Sequence, residues 1–233
     1  MTRKPARKTI GGLTQGDLTR QAVVRKALRI AALEGLSAIS IGRVAKELRM
    51  SKSGLFLHFG SKQKLESAVI EEARGQFFHH VVDPVKANVR GIERLWDLFD
   101  SWLDSTEHGP MTGGYFFSGA FLETAKQHGP TPRQIRAVVR DWMDALEKAL
   151  KQARRRDQLK SEIDTQEIAF EIKGLLLGAH WSRLLTGRDQ TNARLRLLAK
   201  LQTLATDEMP NDAFGSIKAW KTYLKNRNEP ADK

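Results

Sequence analysis

Cysteine is absent from the 233 residues, which excludes disulfides, thiolate metal sites and cysteine nucleophiles together. No run approaches the ~18 consecutive apolar residues needed to span a bilayer, and the densest, Gly174 to Trp181, has polar interruptions on both sides. Sustained period-two alternation with β-branched residues and hairpin turns is missing as well. There is no Gly-rich phosphate loop, no nucleophile elbow and no histidine pair at i and i+4; His79 and His80 project from different helix faces. Taken together, no enzyme, no cofactor and no metal site is expected. Met1 to Lys8 is basic with no apolar stretch after it, so it reads as a flexible arm rather than a secretory signal. A soluble cytoplasmic protein without membrane contact is the expectation.

Acidic residues are scarce in one region. Residues 1–80 hold 15 Lys and Arg against 6 Asp and Glu, so +9 of the total +12 charge sits in one third of the chain. A polyanion-binding module has that distribution; solubility alone is the blander reading.

Helical periodicity fills the chain, so an all-α fold is expected. Thr19 is read as the N-cap of a first helix, stapled by Leu18 and Val23, with Val24, Ala27, Leu28 and Ala31 on one face and an end near Gly35. Ser40 caps a short helix with an Ile41, Val44, Ala45, Leu48 stripe, and Arg49-Met50 turn the chain before Ser51 caps another that ends at Phe59. A longer helix runs from Ser61 to about His80, and Asp83-Pro84 marks a boundary. The expected organisation is a basic arm (1–17), a helix-turn-helix domain (18–81), a helical regulatory and dimerisation domain (82–209) and a polar basic tail (210–233).

Three short helices with a tight turn between the second and third can push one helix into the major groove of DNA. The residues themselves are Ile41-Gly42-Arg43-Val44-Ala45-Lys46-Glu47-Leu48, then Met50-Ser51-Lys52-Ser53-Gly54-Leu55-Phe56-Leu57-His58-Phe59-Gly60-Ser61-Lys62. This stretch resembles the tetracycline-repressor family of bacterial regulators, over about residues 18–70. The resemblance implies that Lys52, Ser53 and Leu57 look toward base edges, offering a cation, a hydroxyl and an apolar surface; core packing is the alternative for Leu57. The family usually has Tyr where this chain has Phe56, so a hydroxyl that often reaches a phosphate is missing. Lys62 resembles the family's phosphate clamp at a helix start, and Thr19 and Ser40 could act similarly. His58 donates either to a phosphate or to a neighbouring helix. Arg3, Lys4, Arg7 and Lys8 either follow the DNA backbone or enter the minor groove, or else make no fixed contact.

In the C-terminal part, Trp96, Phe99, Trp102, Phe117, Phe121, Trp142 and Trp181 are candidates to line a ligand pocket between helices. Taken singly, each is better explained as core. Asp104, Glu107, His108, Glu123, Arg140 and His180 could be polar anchors, although surface or capping roles explain each more simply. The resemblance implies a dimer through Ile168 to Leu185 and Ala193 to Thr206, with Ile172, Leu176, Leu195, Leu198 and Leu201 at the interface. The expected function is a homodimeric repressor that binds a double-stranded DNA operator and is released from it by a small-molecule effector. An effector-independent activator or nucleoid-type DNA-binding protein is one rival. A lipid- or membrane-associated helical protein, using the basic segment around Trp220, is the other.

Overall fold

The computed structural model describes residues 9–10, 13–85, 90–107, 114–187 and 189–228. A short antiparallel pairing of β1 (Thr9–Ile10) with β2 (Leu13–Thr14) comes first, and among the described residues the later elements are helices apart from an isolated bridge between Leu159 and Ala205, so the fold is all-α as expected. Two compact units form, and they do not follow chain order. The first is Met1–Phe77 with Phe116–Val138; the second is Phe78–Tyr115 with Val139–Lys233. The second half of the chain therefore contributes a segment to the unit that carries the helix-turn-helix.

In the first unit, α1 (Gln15–Glu34) begins at Thr14, not Thr19. Thr14 Oγ1 accepts from the Asp17 N–H at 3.2 Å and Asp17 Oδ2 accepts from the Thr14 N–H at 2.9 Å, a reciprocal box. Thr19 has Ala22 three residues on and cannot close such a box; its hydroxyl lies a turn inside the helix and donates to the Gln15 carbonyl at 2.9 Å. A 3-10 turn (Leu36–Ala38) leads to α2 (Ile41–Glu47) and α3 (Lys52–Phe59), capped by Ser40 and Ser51 as their sequence positions predict. Val23, Ala27, Val44, Leu55 and Phe59 are buried at the centre of this trio. Next come α4 (Lys62–Val81), α6 (Gly114–Thr124) and α7 (Pro130–Arg155), each of which has one end in the second unit.

The second unit is built on α5 (Ile92–Glu107), whose Leu95, Trp96, Phe99, Trp102 and Leu103 are buried, and which packs on α8 (Thr165–Thr186). Asp164 caps α8 by accepting from the N–H groups of Gln166 and Glu167. Arg194, on α9 (Thr191–Leu204), ties α9 to α5 through Asp100, Asp104 and Glu107.

Of the segment read as a polar tail, residues 210–228 are described and folded. A 3-10 turn (Asn211–Gly215) and α10 (Ile217–Asn228) carry Phe214 and Trp220 into the core. Trp220 stacks on Phe214 with ring centroids 5.2 Å apart and meets Trp96 at 5.8 Å. The Tyr223 hydroxyl donates to buried Glu93 at 3.3 Å, and Gln158 Nε2 donates to the same carboxylate at 2.9 Å. The basic face seen in the sequence is the outer side of a helix whose inner side is anchored. Among the described residues no helix is long and apolar enough to cross a membrane.

Candidate DNA-binding surface

Helix α3 is only eight residues long, so its ends matter as much as its middle. Ser51 Oγ accepts from the Gly54 N–H at 3.0 Å, satisfying a free donor at the start. At the other end Gly60, with φ 72°, takes the left-handed conformation that a side chain would resist, and its N–H returns to the Phe56 carbonyl. Between the ends, Leu55 and Phe59 lie four residues apart and point into the core. Lys52, Ser53, Phe56 and Leu57 face outward together. Leu57 is 87% exposed and Phe56 51%, so Leu57 is not a core residue. Apolar surface held out on a helix beside a lysine and a serine suits contact with thymine methyls and base edges.

Arg20 of α1 fastens the far end of this helix. Its guanidinium sits 4.4 Å from the Phe59 ring centroid, and Nη1 donates to the His58 carbonyl at 3.1 Å. The His58 carbonyl is one of those that the end of α3 leaves free. Sequence reasoning missed Arg20 because its partners are almost 40 residues away. Two exposed ion pairs stitch α1 to α2: Lys26 to Glu47 at 2.8 Å, and Arg43 to Glu34 at 2.5 Å. The Arg43 hydrogen bond draws the Glu34 carboxyl below its usual range, and Lys26 does the same for Glu47.

The candidate backbone contacts are placed unequally. Ser40 Oγ is occupied in capping α2, accepting from the Arg43 N–H at 3.1 Å, and Ser40 itself is exposed. Lys62 opens α4 with its Nζ 3.4 Å from the Ser37 carbonyl and 3.5 Å from Glu66. His58 is half-buried. Thr19, inside α1, is not at a helix start, which removes the reason for giving it a phosphate. Arg3, Lys4, Arg7 and Lys8 lie outside the described residues.

Two family models match this chain: "Bacterial regulatory proteins, tetR family" over residues 23–69, and "Tetracyclin repressor-like, C-terminal domain" over 91–198. The chain belongs to the tetracycline-repressor family. Among curated relatives, the HTH-type transcriptional regulator YvdT of Bacillus subtilis is 26% identical over 86 residues, which is 37% of this chain and 42% of that protein. A TetR transcriptional regulator from Chloroflexus aurantiacus shares the fold with a TM-score of 0.74 at 20% identity, covering 82% of this chain and 98% of that one. AibR, solved in complex with isovaleryl coenzyme A and operator DNA, does so with a TM-score of 0.61 at 22% identity, over 80% and 97% of the two chains.

The aromatic residues singled out as pocket lining are divided between the two units, five in the second and two in the first. Trp96, Phe99, Trp102 and Trp142 are buried in the second unit, with Trp96 against Trp220 and Trp102 edge-on to His180. Trp181 is exposed on the same unit. Phe117 and Phe121 belong to the first unit, where Phe117 meets Phe77 edge-on and Phe121 lies at the surface.

The residues assigned to pairing also divide. Ile172, Leu176, Leu198 and Leu201 are buried within the chain itself, so they are not available to a second copy; Leu195 alone is exposed. Helix α8 has two apolar faces, and the inner one, with Ile168, Ile172 and Leu176, belongs to the core. The outer one carries exposed Phe170, Gly174, Gly178, Trp181 and Leu185 at helical spacing. That spacing of 4, 4, 3 and 4 residues was readable as a second stripe.

Proposed function

We propose that this member of the tetracycline-repressor family is a cytoplasmic, homodimeric, sequence-specific repressor that a small-molecule effector releases from its operator. The observation that carries the DNA-binding part is the outward face of α3: Lys52, Ser53, Phe56 and Leu57 are exposed while Leu55 and Phe59 hold the helix from behind. Pairing is supported by the outer face of α8 with Leu195 of α9, large apolar side chains left in solvent on two adjacent helices. Gly174 and Gly178 on that face allow two copies to approach closely. A twofold dimer would present two reading helices to half-sites about 34–36 Å apart.

The effector is assigned to the second unit, around the aromatic packing of α5 and α8. To lower operator occupancy tenfold it needs about 1.4 kcal/mol of preference for the released conformation. Selection of bound duplexes from random DNA tests the reading. An inverted-repeat consensus with its centres about one helical turn apart is expected; no enrichment over input DNA overturns it. Replacing Trp181 by Glu should convert the dimer to monomer in sedimentation and abolish binding to the full site.

A further inference from the structure

Glu123, near the end of α6, holds two backbone N–H groups of the turn that feeds the helix-turn-helix. Oε1 accepts from Leu36 at 3.0 Å and Oε2 from Ser37 at 2.8 Å. Gly35, with φ 93°, presents that turn, and a Cβ on it would stand 2.7 Å from Glu123 Oε1, so the close approach depends on glycine there. The carbonyl of the same Ser37 is the one that Lys62 Nζ reaches, and Glu66, the other partner of Lys62, accepts from Thr131 Oγ1 at 3.4 Å at the start of α7. One polar relay thus runs from α6 through the Ser37 residue to Lys62, and on through Glu66 to α7, all within the first unit. Hydrogen bonds to an ionised acceptor are the stronger kind. The turn has its own apolar anchors in Leu36 and Ile39, both buried, so the carboxylate is not what folds it.

We propose that Glu123 is a positioning residue for DNA binding: its carboxylate fixes the turn before α2 and the seat of Lys62, so that α6 sets the geometry of the reading head. This rests on the DNA-binding reading above. It goes beyond it in naming the side chain by which a segment from the second half of the sequence acts on the head.

Full-length wild type, E123A, E123Q, K62A and the E123A/K62A double variant would be titrated with a duplex selected by the wild type, and amide exchange followed at Leu36 and Ser37. E123A should bind the selected duplex about tenfold more weakly, E123Q less so, with faster exchange at both amides. The losses in E123A and K62A should be non-additive, since both act through Ser37. Unchanged affinity in E123A overturns the proposal even if its thermal midpoint falls, because that is what a structural role alone would give; additive losses overturn it too. Wild type that selects no duplex overturns the underlying DNA-binding reading instead, before any variant is compared.

Discussion

The guanidinium of Arg20 lies 4.4 Å from the centroid of the Phe59 ring while it donates to the carbonyl of His58, so one side chain of α1 holds both the apolar anchor and the free end of α3. An exposed cation over a ring contributes about 0.5–1 kcal/mol, and the hydrogen bond about as much again. Arg20→Ala should therefore lower affinity for the selected duplex about fivefold to tenfold, with a smaller loss on random DNA, so that their ratio falls. Arg20→Lys keeps the charge but loses the planar fork and should recover only part. Equal losses on both DNAs in an anisotropy titration would show instead that Arg20 acts as a charge facing phosphate.

Local signals carried the sequence reading where they were sufficient. Ser40 and Ser51 each cap the helix that follows them, as read, because a cap is a matter of three or four residues. The start of α1 went astray between two threonines, and only Asp17, completing the box with Thr14, separates them. Helix α8 is apolar on two sides, and periodicity alone cannot say which side the chain covers and which it leaves exposed. Arg20 and Glu123 were beyond reach for another reason: their partners are brought to them by the fold, across 38 and 87 residues.

Trp220 shows the same limit, since a basic amphipathic segment at the end of a chain gives no sign of what its apolar side meets. Its ring is wholly buried between Phe214 and Trp96, and among the described residues its Nε1 has no hydrogen-bond acceptor. Trp220→Ala should lower stability by about 3–5 kcal/mol, read as a shift in the urea midpoint. Trp220→Phe should be far milder, because no hydrogen bond is lost. A midpoint for the alanine variant matching wild type would mean that α10 is not part of the cooperative core.

His180 adds a pH dependence. Burial, with a lesser contribution from the Arg183 charge, holds its pKa below the usual histidine range, and its ring stands 6.2 Å from that of Trp102. The unfolded chain binds this proton more readily than the folded one. Stability from this group is thus complete above about pH 6.5 and falls as pH drops from there through the folded-state pKa. His180→Phe should remove that part of the acid sensitivity, seen as a smaller change in urea midpoint between pH 7.5 and 5.5. An unaltered difference would place the sensitivity in other groups.

Phe56 is half exposed on the reading face, with its ring open to solvent. A hydroxyl added there would stay hydrated in the free protein, so Phe56→Tyr should leave the thermal midpoint almost unchanged. On DNA it would gain a hydrogen bond to a charged acceptor, about 1.5–3 kcal/mol in favourable geometry, or roughly tenfold or more in affinity. Phosphate contacts position the protein without reading sequence, so the gain should be similar on the selected duplex and on random DNA. Phe56→Ala, which removes the apolar surface as well, should lose affinity on both. Were the tyrosine to tighten only one duplex among several, position 56 would join Lys52, Ser53 and Leu57, the residues proposed to read bases, and Lys62 would be left as the principal proposed backbone contact of this face.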